Sequence, residues 1–121
     1  MTTKTLNKAN LAQFIGSENW YRHGLNRNVL YTDGAEYVAE NGGAYWLLDI
    51  IAIAQAHDAR VRGEEFQVWK LTVRPNHSAT VVCDDGNNNI IYTQDIEYTD
   101  FPLDEIKFYF TNNVILLPSE Y

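Results

Sequence analysis

The spacing of apolar residues changes near residue 63: helical periods dominate before it and strand alternation after it. From Thr5 to Ile15, Leu11, Phe14 and Ile15 recur at helical spacing, with Leu6 a little over one turn earlier, and Gly16-Ser17 ends the element. Glu18 to Asn28 shows no period and reads as a loop or irregular strand, whereas Asn28 to Thr32 is a short strand by residue type. Asp33-Gly34-Ala35-Glu36 admits two readings. Asp-Gly is a hairpin signal, but Asp33 followed by Glu36 also forms a capping box that satisfies free N–H groups of a first helical turn. The residues that follow do not alternate, and Asn41-Gly42-Gly43 supplies a C-terminal stop, so a short helix is expected.

Ala44 to Ala56 carries only Asp49 and Gln55 as polar residues. Leu47, Ile50, Ile51 and Ala54 mark a helical face, while Tyr45, Trp46, Leu48 and Ile53 make the other faces apolar too. A helix apolar nearly all round belongs in a core or at an interface, and Ile51 and Trp46 are expected in the core. It is too short to cross a bilayer.

After Arg60-Val61-Arg62-Gly63 the pattern is that of strands. Gln67 to Val73 is rich in strand formers and is ended by Pro75-Asn76; Ala79 to Cys83 forms a second run, and Ile90 to Thr93 opens a third. Between the last two, Asp84-Asp85-Gly86-Asn87-Asn88-Asn89 is turn chemistry. Ile106, Phe108 and Phe110 alternate with Lys107, Tyr109 and Thr111, the mark of a sheet with one wet face. Asn112-Asn113 suits the positive-φ positions of a tight turn, after which Val114 to Leu117 completes a hairpin closed by Pro118. The fold class expected is therefore α+β: N-terminal helices packed on one face of an antiparallel sheet of four or more strands. With 121 residues, 45% of them hydrophobic, and no linker or repeat, residues 1–121 read as one domain.

Charge is uneven along the chain. Residues 1–83 balance, whereas residues 84–121 set eight carboxylates against Lys107 alone and so carry the whole net charge of −7. Clustered Lys and Arg, the footprint of nucleic-acid binding, are missing, so direct nucleic-acid binding is not expected. The acidic stretch suits a basic protein partner or plain solubility. No signal-like or membrane-length apolar run occurs, and the single Cys83 has no intramolecular partner, so a cytoplasmic location is the simplest expectation. A homo-oligomer stays open.

Four strings are distinctive when taken together: Glu18-Asn19-Trp20-Tyr21-Arg22-His23, Tyr31-Thr32-Asp33-Gly34, Ala44-Tyr45-Trp46-Leu47-Leu48-Asp49, and the tail from Phe101-Pro102-Leu103-Asp104-Glu105-Ile106 to Leu117-Pro118-Ser119-Glu120-Tyr121. Through them most of the chain resembles a family of small uncharacterised bacterial proteins common in cyanobacteria. The resemblance implies a bacterial origin and a coherent domain, and it adds no chemistry.

Catalytic signatures are few. No phosphate-cradling glycine loop, dinucleotide fingerprint or His-Glu-x-x-His helix occurs, so no cofactor is expected. Asp84 to Asn89 fails as a calcium loop because the sixth position is Asn89 rather than glycine. His23, His57 and His77 lie in separate segments, with no spacing that points to a metal site with Cys83, and Cys83 follows Thr80-Val81-Val82 in an apolar strand where it packs as a small hydrophobe. Asp49 in an apolar helix is expected as a buried carboxylate tied to a loop, with Arg22 or Arg27 among its candidate partners. The segment Trp20-Tyr21-Arg22-His23, continuing to Arg27, gathers the residue types enriched at binding hot spots; it is either a site or cover for the core. Two function classes follow. The first is a non-enzymatic binding module using this segment or the acidic last third. The second is a small hydrolase-like enzyme with His23 as acid/base, oriented by Asp33 or Asp49.

Overall fold

The computed structural model describes Leu6, Leu11, Gln13, Phe14 and residues 19–121. Leu6 is buried and Leu11 and Phe14 pack on the core; the rest of the helix expected from Thr5 to Ile15 lies outside the described residues. Two short strands come first, β1 (Trp20–Arg22) and β2 (Leu30–Thr32). Three helices follow, α1 (Asp33–Gly42), α2 (Tyr45–His57) and the single turn α3 (Ala59–Arg62). The remainder is β3 (Phe66–Val73), β4 (Ala79–Asp84), β5 (Ile90–Ile96), β6 (Glu105–Thr111), β7 (Val114–Leu116) and a 3-10 turn at Pro118–Glu120.

The strands form one seven-stranded sheet in the order β1-β2-β7-β6-β3-β4-β5. From β3 to β7 every pairing is antiparallel, as the alternation predicts. The expectation of helices first and strands later is corrected at the N-terminus. β1 and β2 precede the helices, and β2 joins β7 in parallel, Leu30 beside Val114 and Tyr31 beside Ile115. β2 lies within the strand expected at Asn28 to Thr32, whereas β1 falls in the stretch without period, and a three-residue strand carries too little alternation to be read from spacing alone.

Alternation decides which residues enter the core. Gln67, Trp69 and Leu71 of β3, Val81 and Cys83 of β4, and Ile106, Phe108 and Phe110 of β6 are all buried, while their neighbours Val68, Lys70, Val82 and Tyr109 are half-exposed. On α2 the buried stripe is Leu47, Leu48, Ile51, Ala52 and Ala54. Trp46 is only partly covered, which corrects its assignment to the core; it lies near the opposite side of the helix from Ile51.

Helix ends follow local chemistry. The cap of α1 is Thr32 rather than Asp33: its hydroxyl accepts from the Ala35 N–H, leaving the Asp33 carboxylate free for other partners. The helix stops at Gly43, whose φ of 63° suits a residue without a Cβ. Asn112 and Asn113, with φ of 53° and 63°, form the two-residue turn between β6 and β7.

One polar residue sits at the centre of the core. The Gln67 side chain is fully buried; its oxygen accepts from Gln55 Nε2 at 2.7 Å and Trp69 Nε1 at 2.8 Å. The two N–H groups of its nitrogen are shared among Gln55 Oε1 at 2.9 Å, the Val61 carbonyl at 2.8 Å and the Glu64 carbonyl at 3.1 Å. α2, α3, the turn after α3 and β3 are thereby fastened to one amide. Gln67→Leu is expected to cost ~1–3 kcal/mol, because Gln55 and the Trp69 N–H lose buried partners. Ile51→Ala should cost ~2–5 kcal/mol by truncation and cavity formation, and Trp46→Ala less than Ile51→Ala. Denaturant unfolding of the three variants checks the ranking.

Candidate functional site

The β1 strand separates the residues that the sequence groups as one site. Trp20 pairs with Thr32, Tyr21 with Tyr31 and Arg22 with Leu30, and neighbouring side chains on a strand point to opposite faces. Tyr21 therefore shares a face with Tyr31, on which its ring stacks at 5.5 Å. Trp20 and Arg22 turn the other way. Trp20, 55% exposed, borders a groove of about 260 Å³ with Val114, Leu116 and Tyr121. Arg22 enters a larger cleft with Asn26 and Arg62. Arg27 is exposed, and its carbonyl accepts from the Arg22 guanidinium.

His23 and Asp49 reverse the roles expected of them. The imidazole is buried, at 4% exposure, whereas the Asp49 side chain is 45% exposed, so it is not a buried carboxylate. Asp49 occupies an outward position of α2, and its partner is neither Arg22 nor Arg27 but His23, at 2.8 Å. The backbone N–H groups of Leu25 and Asn26 both donate to His23 Nδ1 at 3.1 Å. Nδ1 thus carries the lone pair, and Nε2–H is the donor to Asp49 Oδ1. Asn26 Nδ2 also donates to the Ala52 carbonyl at 2.8 Å. Together these bonds lash the β1–β2 loop to α2.

Asp33 lies apart from His23's ring nitrogens. Its carboxylate accepts from the Tyr21 hydroxyl at 3.0 Å and from the Asn19 backbone N–H at 3.2 Å. Glu36 accepts from the Tyr45 hydroxyl at 3.2 Å. The tyrosines register these carboxylates as raised pKa values. Tyr21 is raised by its bond to Asp33, Tyr31 by burial and then by Glu36 and Asp49, and Tyr45 by burial and then by Glu36 and Glu40. Tyr21, Leu25, Tyr45 and Ile53 are all exposed, and Tyr45, Asp49 and Ile53 follow one another at four-residue intervals on α2. One surface thus joins apolar side chains to carboxylates. The even charge of residues 1–83 conceals this: residues 28–59 hold Asp33, Glu36, Glu40, Asp49 and Asp58 with no lysine or arginine.

The other candidates are dispersed. His57 ends α2, and His77 sits in the β3–β4 turn at φ 68° with its ring on Tyr98. Cys83 is buried in β4, and burial pushes its thiol well above the usual range. Among the described residues no three His, Cys, Asp or Glu side chains come together as a metal site. Asp84 to Asn89 is a polar turn in which Asp85 accepts from the Asn87 and Asn89 N–H groups and from the Asn89 side chain; the last bond leads in holding its carboxyl below the usual range. Sequence reading missed the cleft beside Arg22, because its lining joins Arg22 to residues 55–65 and to Asn112 and Asn113, segments far apart in the chain.

A seven-stranded, mostly antiparallel sheet combined with helices makes this an α+β protein. The chain matches the family of unknown function DUF6876 over residues 5–121 and belongs to it. No curated protein and no solved structure matches. No helix among the described residues is long and apolar enough to cross a membrane.

His23→Ala is expected to cost ~1–3 kcal/mol and lower the melting temperature, since two loop N–H groups lose a buried acceptor. Asp49→Asn, which keeps an acceptor, should cost less. Two-bond ¹⁵N–¹H correlation spectra of the imidazole should show the Nε2–H tautomer. Alkaline titration at 295 nm should show Tyr21, Tyr31 and Tyr45 ionising above the ordinary ~10. Raised tyrosine values mean stability intact below pH ~10 and lost as pH climbs toward the higher folded values.

Proposed function

We propose that this chain is a single-domain, non-enzymatic interaction module of the bacterial cytoplasm that holds a basic protein partner. The observation that carries the reading is the surface of β1, the β1–β2 loop and α2. There Tyr21, Leu25, Tyr45 and Ile53 are exposed beside Asp33, Glu36 and Asp49. Large exposed apolar side chains rimmed by polar residues mark association surfaces, and carboxylates around them select a cationic partner and speed its approach. Aromatic faces add attraction for lysine and arginine heads. A second copy of the chain would bring like charge to the same surface, so a basic partner is favoured over a homo-oligomer. The acidic last third, with Asp95, Glu97, Asp100 and Asp104, extends the same preference.

The hydrolase-like alternative rests on the His23–Asp49 bond, the orienting half of a catalytic pair. Its drawback is that Nδ1, the nitrogen left for proton transfer, is engaged by Leu25 and Asn26.

The test is affinity capture from bacterial lysate with the native chain and with a Leu25→Ser/Ile53→Ser variant, at low and high salt. Both substitutions are at exposed positions, so the variant should keep its melting temperature to within a few degrees. Basic proteins retained by the native chain should be released by salt, because exposed charges are screened within ~8–10 Å at physiological ionic strength. They should also be absent from the variant's eluate. Retention that survives both salt and the variant overturns the reading, and so does turnover of an ester or peptide that is abolished by Asp49→Ala.

A further inference from the structure

The β6–β7 turn faces the C-terminal end of α2 across an open cleft of about 940 Å³, a size typical of small-ligand sites. Four charged side chains line it: Arg22, Arg62, Glu64 and Glu65. The ion pairs among the described residues are His23–Asp49 and Lys70–Glu105, so these two cations and two anions share one cleft without pairing. Their placement is prepared by the backbone. The Arg22 guanidinium donates to the Arg27 carbonyl and that of Arg62 to the Ala56 carbonyl at 2.9 Å, which leaves each fork with further N–H donors. Glu64 is fixed at both ends of its peptide unit: its N–H donates to the Val61 carbonyl at 3.0 Å and its own carbonyl accepts from Gln67. Asn112 and Asn113 complete the lining with amides that both donate and accept.

We propose that this cleft binds a zwitterion of the amino-acid or short-peptide class. The guanidiniums take its carboxylate and Glu64 and Glu65 take its ammonium. Planar guanidinium forks match carboxylates in bidentate geometry. A purely anionic ligand such as phosphate would meet two carboxylates, and a purely cationic one would meet two guanidiniums; a molecule carrying both signs satisfies all four. Amide side chains complement peptide N–H and C=O groups along its length. The site is separate from the α2 surface and does not depend on it.

Triglycine, N-acetyl-triglycine and triglycinamide are the probes, each titrated into ¹⁵N-labelled protein. Triglycine should shift the side-chain amides of Asn112, Asn113 and Gln55 in a saturable way. Blocking either terminus should weaken binding at least ~tenfold, the loss expected for one charge-assisted contact. Glu64→Gln/Glu65→Gln should erase the penalty of N-acetylation, and Arg22→Ala/Arg62→Ala that of amidation. Arg62→Lys, which keeps charge without the fork, should lie between native and alanine. Equal binding of all three probes, saturable shifts elsewhere, or no saturable shift up to ~10 mM ligand would each overturn the proposal.

Discussion

The side-chain amide of Gln67 ties α2, α3 and the turn after α3 to β3. A buried glutamine with an unmet donor or acceptor would destabilise the core by a few kcal/mol, yet this one is bonded on both sides and no buried side-chain polar atom among the described residues lacks a partner. Its contacts to Gln55, Val61, Glu64 and Trp69 tie the last turn of α2, the α3 turn and the segment entering β3 to one another. Apolar packing alone tolerates sliding of a helix over a sheet; a saturated polar network does not. The amide also bonds two residues that line the polar cleft, Gln55 and Glu64.

A second fastening joins the β1–β2 loop to α2. His23 accepts from its own loop and donates to Asp49, and Asn26 donates to the Ala52 carbonyl. The loop between β1 and β2 is held against the helix by polar bonds that leave its tip, Leu25, in water. That arrangement explains how an unusually apolar helix stays exposed along one side. The loop and the carboxylates of α1 and α2 break its outer face into smaller patches, with Asp49 set between Tyr45 and Ile53.

The two proposed surfaces differ in kind. The α2 surface joins apolar area to one sign of charge, which favours a large partner and a salt-sensitive approach. The cleft holds both signs at close quarters with amides between them, which favours a small ligand carrying complementary charges. Arg22 and Tyr21 are adjacent in sequence and serve different surfaces, since strand alternation turns them to opposite faces of the sheet.

Local physics made much of the fold legible in the sequence. The period-2 burial of Ile106, Phe108 and Phe110, the turn at Asn112-Asn113, the stop at Gly43 and the α2 helix depend on residues near one another in the chain. The α+β class follows from them. Three things did not follow. The parallel pairing of β2 with β7 joins residues more than eighty positions apart. The exposure of Asp49 and burial of His23 depend on which side of α2 the loop covers. The cleft exists only where segments from β1, α2, α3 and the β6–β7 turn converge. Residue type and spacing determined what each segment would become; burial and charge partnership arise between distant segments, so tertiary structure alone decided which of their side chains meet.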